Sequence, residues 1–297
     1  LTASQKAVFS ALGAIALWAT LAPVGVRLSH LPPFLSTGCA LLIGSLVALP
    51  WSGFQWRLAI VPASTLLLGI YGLFGFHFLL FLALRTAPAV EANLVNYLWP
   101  LLIVVLAPMF HKGARLHWRQ LVAALAGFSG AVLAITGGRV IEFQFSAGYW
   151  AALASAIVWA TYSLMTQRVP AFHTAAIGSF GLASGLLSLA CHFVLEAPVM
   201  LSTNDALLLT WMGLGPLGLA FYLWDAALKK GRAQQIGLLS FLTPLGSTVL
   251  LLLDRQEALT AAVACAGVLI VGGAWLGRSV SNEAANDPYF ETPAKPN

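Results

Sequence analysis

The polar and aromatic side chains able to bind a small molecule fall on single helical faces of apolar segments. Asn93, Asn96, Tyr97 and Pro100 follow the spacing i, i+3, i+4, i+7, which is one face of a helix, and Trp99 lies beside them. Ser240, Thr243, Pro244 and Ser247 repeat that spacing, as do Trp159, Tyr162, Ser163 and Thr166. Phe74, His77 and Phe81 share a side of a third segment, with Tyr71 and Phe78 adjacent. Trp18 lies deep within the first apolar run. The chemistry on offer is recognition rather than bond-making: aromatic rings stack and offer edges, while Asn amides and an imidazole can meet an amino or carboxylate group. These faces would line a common cavity made of Trp18, Tyr71, His77, Phe78, Asn93, Asn96, Tyr97, Trp99, Trp159, Tyr162 and Ser240. The competing reading is packing, because Ser, Thr and Asn also serve as hydrogen-bond glue between helices in lipid.

The elements that carry these faces are membrane helices. Only 8% of the 297 residues are charged and 59% are hydrophobic. Soluble domains carry roughly 25% charged residues, so most of this surface must face lipid. Ten stretches are long and apolar enough to span: 7–28, 33–50, 62–84, 88–110, 118–137, 147–168, 173–195, 205–228, 234–252 and 258–277. Punctuation separates them, as at Leu31-Pro32-Pro33, Gly137-Gly138-Arg139 and Lys229-Lys230-Gly231-Arg232. The polar stretch 278–297 is expected to be a disordered cytoplasmic tail. Counted over alternate loops, eleven Lys and Arg fall on the side of both termini and four (Arg27, Arg85, Arg139, Arg255) on the other. That asymmetry predicts cytoplasmic termini. The basic residues form no stripe suited to nucleic acid.

The chain also resembles itself. Trp18-Ala19-Thr20 recurs as Trp159-Ala160-Thr161, 141 residues on. Leu84 to Leu101 aligns with Leu228 to Leu245 at offset 144, matching Arg85 with Lys229, Tyr97 with Phe241 and Pro100 with Pro244. The expected organisation is an N-terminal five-helix repeat over 1–137 and a C-terminal one over 138–277. Five is odd, so the second unit would enter the membrane inverted, a design that places substrate at the midplane between halves. Pro100 and Pro244 remove backbone hydrogen bonds at matched positions and should kink their helices, which makes them candidate hinges.

Other signals point away from chemistry of a different kind. Cys39, Cys191 and Cys265 sit singly in apolar runs and read as small hydrophobes. No metal-ligand cluster, phosphate loop or nucleophile motif is present, so neither enzyme activity nor a cofactor is expected. The first span has no acidic residue, which disfavours a dedicated cation antiporter. Asp225, one turn before Lys229, reads as an i,i+4 ion pair near the cytoplasmic face rather than a coupling site.

The duplicated five-helix unit, the paired Trp-Ala-Thr elements and Leu98-Trp99-Pro100 resemble the drug/metabolite transporter superfamily, with its EamA-type repeat, over about 7–277. The resemblance implies a bacterial inner-membrane exporter with a cavity between the halves, and it points to His77, Tyr97, Trp99 and Trp159 in that cavity. Many members carry an acidic residue before the fifth helix; about His117 stands there in this chain. The expected function is export of aromatic or large apolar amino acids by a monomer using alternating access. A broad drug or metabolite exporter of the same fold is the alternative, and a non-transporting scaffold a distant third.

Overall fold

The structure is a computed structural model that describes residues 1–111, 115–141 and 145–285. Among these residues the regular structure is entirely helical. The principal segments are α1 (Ala3–Arg27), α2 (Pro33–Trp51), α3 (Ala63–Thr86), α4 (Ala89–Phe110), α5 (Trp118–Thr136), α6 (Gly148–Met165), α7 (Ala176–Leu195), α8 (Thr203–Lys230), α9 (Ala233–Asp254) and α10 (Ala261–Ala285). Eight of them, all but α6 and α10, are long and apolar enough to cross a bilayer; α10 has a shorter apolar part, Ala261–Gly277. Helices suit a lipid solvent because they satisfy every backbone donor and acceptor internally. α10 runs on past Gly277 to Ala285, so the expected polar tail begins later. Residues 286–297, the rest of that tail, lie outside the described residues.

Local chemistry sets the ends. Thr2 and Gln5 form a reciprocal capping box at α1. Gly137 adopts a left-handed backbone (φ 63°) to end α5. α2 starts on Pro33, whose missing N–H costs nothing in a first turn. The Glu196 carboxylate, at the end of α7, accepts from the next two amides, Phe34 N (3.1 Å) and Leu35 N (3.2 Å).

Irregularities within the long helices recur at one spacing. α3 carries a π-helical turn at Tyr71–Gly75, and α8 carries one at Gly215–Leu219, 144 residues later. α4 stops at Asn96 and restarts at Trp99. α9 stops at Leu239 and restarts at Leu242. The prolines therefore do not bend a continuous helix. Pro100 and Pro244 each sit in the first turn of a restarted helix, where no intrahelical donor is lost.

Packing pairs the elements in the same pattern. α1 lies on α8 as α6 lies on α3. The second half of α9 packs on α1 as the second half of α4 packs on α6, while α5 pairs with α10 and α2 with α7. Small residues permit this closeness. On α5, Ala123, Ala124, Gly127, Gly130, Ala131 and Ala134 are buried, and a Cβ at Gly130 would meet the Ala266 carbonyl of α10.

Candidate functional site

α1, α4, α6 and α8 each send one tryptophan to the centre: Trp18, Trp99, Trp159 and Trp224. Trp18 meets Trp159 at 5.9 Å, Trp99 at 6.4 Å and Trp224 at 5.2 Å between ring centroids. Trp99 lies 6.3 Å from Trp159 and 5.7 Å from Trp224. Most of these pairs meet edge to face, the arrangement that suits the positive edge and negative face of each ring, worth about 0.5–1.5 kcal/mol per pair beyond burial. None of the four is more than 7% exposed, so the rings fill the centre against one another.

Two of the indole N–H groups have acceptors from other helices. Trp18 Nε1 donates to the Pro216 carbonyl (3.0 Å), which belongs to the π turn of α8. Such turns interrupt the ordinary i→i−4 ladder and recur at functional sites. Trp224 Nε1 donates to the Ser163 hydroxyl of α6 (3.1 Å).

His77 and Phe221 border this cluster. Phe221 packs on Trp18 (6.0 Å) and Trp159 (5.6 Å) and faces the His77 ring at 6.4 Å. His77 Nδ1 lies 2.6 Å from the Leu73 carbonyl. A carbonyl can only accept, so Nδ1 carries a proton. Nε2 is then the ring's variable atom, an acceptor in neutral imidazole and a donor in imidazolium. Tyr162 is buried on Trp159 (5.3 Å) and passes over Gly72 of α3, where any Cβ would run into its ring.

The structure thus brings together Trp18, His77, Trp99, Trp159 and Tyr162. Tyr97 and Asn93 are half-buried on α4, with Tyr97 at its interruption. Four expected residues stand elsewhere. Asn96 is buried in the α4–α6 interface, where its amide oxygen accepts from Ser155 (2.8 Å). Ser240 bonds the Gly237 carbonyl of its own helix (2.6 Å). Tyr71 is 39% exposed and paired with Thr161 (2.8 Å). Phe78 packs on Phe34 (5.6 Å) and Phe74 (5.7 Å), and reaches His77 only through Phe34 and Phe81. Trp224 and Phe221 were missed as site residues, while Ser163 was read as part of a cavity face without being singled out. One signal pointed to Phe221: it follows His77 by 144 residues, the offset of the repeat.

Charged groups sit at the two ends of the bundle. At one end Arg27 pairs with Asp254, and Arg85 with Glu196 (2.7 Å), whose other oxygen meets His192 (3.0 Å). At the other end Arg168 donates to the carbonyls of Phe110 (2.7 Å) and Met109 (2.6 Å) at the close of α4. Lys229 there bonds Asp225 (2.6 Å) and the Phe172 carbonyl (2.9 Å), and Thr174 donates to the same Asp225 oxygen (2.6 Å).

Comparison with known proteins assigns the class. The model of the EamA-like transporter family matches twice, over residues 5–136 and 146–277, and the chain belongs to that family. It is accordingly a multi-pass membrane transporter and not an enzyme. The aromatic amino acid exporter YddG of Ancylobacter novellus is 39% identical over 268 residues, spanning 88% of this chain and 93% of its own. The protein of that name from Escherichia coli is 24% identical, spanning 92% and 96%. A probable terminal-alkyne amino-acid exporter of Streptantibioticus cattleyicolor is 26% identical over 64% of this chain. A solved crystal structure superposes with a TM-score of 0.88 at 36% identity, covering 94% of this chain and 99% of that one.

Proposed function

We propose that this chain exports aromatic amino acids across the bacterial inner membrane by alternating access, using ten spans arranged as two inverted halves. The observation that carries the reading is the meeting of repeat counterparts at the centre. Trp18 touches Trp159, its counterpart at offset 141, and His77 faces Phe221, its counterpart at offset 144. Contacts between equivalent residues are what an approximate twofold axis through the aromatic cluster produces. The coincident π turns and helix interruptions support the same axis. In this reading α6 and α10 also cross the membrane, both termini are cytoplasmic, and residues 1–137 and 138–277 are the two units.

The site chemistry favours a substrate with a planar apolar side chain and a small polar head. A ring would exchange the contacts of Trp18, Trp99 and Trp159 for its own, which is the low-cost way to open a cluster already packed on itself. His77 Nε2, together with Tyr97 and Asn93 of α4, would take the carboxylate or amino group. The names of the relatives support an amino-acid substrate.

The arginine ties give a physical basis for two alternating states. Arg27 holds the end of α9 and Arg168 holds the end of α4, at opposite ends of the bundle. The two arginines are 141 residues apart and the helix ends they hold, Asp254 and Phe110, are 144 apart. Releasing one tie while keeping the other would let α4 or α9 pivot at its interruption beside Pro100 or Pro244. Uptake of radiolabelled phenylalanine into proteoliposomes tests the reading. Flux no greater than that of empty liposomes refutes transport of this substrate, and equal flux of unrelated drugs refutes the selectivity.

A further inference from the structure

The least expected group in the membrane-spanning part of the molecule is Asp225. Its side chain is 2% exposed, one helical turn before Lys229 near the end of α8. The preceding residue is Trp224 of the cluster. One carboxylate oxygen, Oδ2, is saturated: it accepts from Lys229 (2.6 Å) and from the Thr174 hydroxyl (2.6 Å). The other oxygen, Oδ1, is buried with no hydrogen-bond partner among the described residues. A buried carboxylate oxygen left unpaired is costly. Among the described residues, the other two acidic side chains buried among the helices differ. Glu196 uses both oxygens on Arg85, His192 and two backbone amides. Asp205 is bonded to Ser202 and lies beside His30 (3.2 Å) at the start of α8.

We infer that Asp225 is the proton-binding site that couples transport to the proton gradient. This rests on the transporter reading above and gives it an energy source. The ion bound is a proton, and Oδ1 is where it binds. Uptake converts the carboxylate to a neutral carboxylic acid and leaves the Lys229 ammonium without its counter-charge. Lys229 and Thr174 together hold the connection before α7 against α8, because Lys229 also bonds the Phe172 carbonyl and stacks its ammonium over the Phe172 ring (3.8 Å). Protonation therefore weakens a closure at this end of the bundle, and loss of the proton restores it. No other chemistry is required, since one proton enters and the same proton leaves.

The surrounding charges are few. Lys229 is on the same helix, and His173, on the connection to α7, lies close enough to interact electrostatically. Tyr162 of α6 lies within the field of Asp225, and Tyr222 of α8 is committed to the Gly44 carbonyl (3.2 Å). α1 brings Lys6 and the start of α9 brings Arg232, both exposed. On α7, His192 is held by Glu196 at the far end of the bundle. Lys229 is thus the principal partner that senses the change.

Asp225→Asn keeps the shape and the hydrogen bond to Thr174 but cannot take up a proton. In proteoliposomes, a proton gradient should stimulate wild-type phenylalanine flux several-fold. The variant should keep phenylalanine counterflow, measured without a gradient, and lose the stimulation. Asp225→Glu should retain part of it. Gradient stimulation of Asp225→Asn equal to wild type overturns the proposal, and so does wild-type flux indifferent to the gradient. Infrared difference spectra of the purified protein between acidic and alkaline buffer give a readout independent of substrate. A protonated-carboxyl band present in wild type and missing from Asp225→Asn supports the assignment, and identical spectra overturn it. Absent wild-type flux combined with that band refutes phenylalanine export while leaving Asp225 as the proton site.

Discussion

The rings of His77 and Phe221 face each other at 6.4 Å although 144 residues separate them in the chain. They occupy equivalent positions in equivalent helices, the second residue past the π turns of α3 and α8. Only one of the two carries nitrogen. Both members of this pair are therefore rings, while the hydrogen-bonding capacity is on one side.

That asymmetry makes His77→Phe informative, because it copies the counterpart and keeps a ring in place. Membrane yield should stay near wild type. Losing a hydrogen bond to a charged substrate group costs about 1.5–3 kcal/mol, so half-saturation for phenylalanine should rise roughly 10- to 100-fold. The concentration dependence of proteoliposome uptake decides it. An unchanged half-saturation value removes His77 from contact with substrate.

Trp159 is the ring that joins the others, touching Trp18, Trp99, Tyr162, Phe221 and Phe76. Trp159→Ala should destabilise the fold by about 3–5 kcal/mol, as large-to-small core changes do, and abolish flux. Ser163→Ala removes the acceptor of Trp224 Nε1 and should cost about 1–3 kcal/mol through an unsatisfied indole N–H. Thermal unfolding in detergent measures both, and a Ser163→Ala midpoint equal to wild type would show that the indole finds another acceptor.

The two arginine ties should differ in strength. Arg27 and Asp254 form an exposed pair, with side chains 54% and 38% accessible, and such pairs contribute about 0.2–1 kcal/mol. Arg168 is exposed as well but makes two bonds to carbonyls at a helix end, each worth about 0.5–1.5 kcal/mol. Arg168→Gln should raise amide hydrogen exchange at the close of α4, and Arg27→Gln should do so, to a smaller extent, at the close of α9. Equal effects of the two substitutions, or an effect of either at the other helix, would contradict separate ties.

Pro100 and Pro244 stand in first turns, where alanine gains no intrahelical hydrogen bond. Pro100→Ala and Pro244→Ala should therefore change stability by no more than about 1 kcal/mol. If the interruptions are hinges, flux should fall in each and further in the double variant. Retention of full flux by the double variant would make the breaks static.

The contrast between what hydropathy could and could not disclose is visible at these same residues. Span positions were legible because a lipid solvent demands long apolar runs, and all eight long apolar segments fall where expected. Trp18, Trp99 and Trp159 stood out because tryptophan deep inside a span is unusual. Trp224 did not, since it precedes Asp225 and Lys229, whose charges drew the reading of that helix toward its end. Proline marks a missing donor, so Pro100 and Pro244 flagged a disturbance without telling a bend from a stop. Asn96 and Ser240 lie on polar faces of α4 and α9, but spacing along one helix carries no information about which neighbour a polar group will meet. Ser155 and the Gly237 carbonyl settled that.

The bond from Trp18 Nε1 to the Pro216 carbonyl spans 198 residues. Ribosomes add about 5–20 residues per second, so α1 reaches the bilayer roughly 10–40 s before its acceptor has been made. Through that interval the Trp18 indole has only transient partners for its N–H. α1 is thus among the last of these helices to be satisfied, and a nascent chain arrested before α8 exposes an unmet donor to the machinery that inspects membrane proteins during assembly.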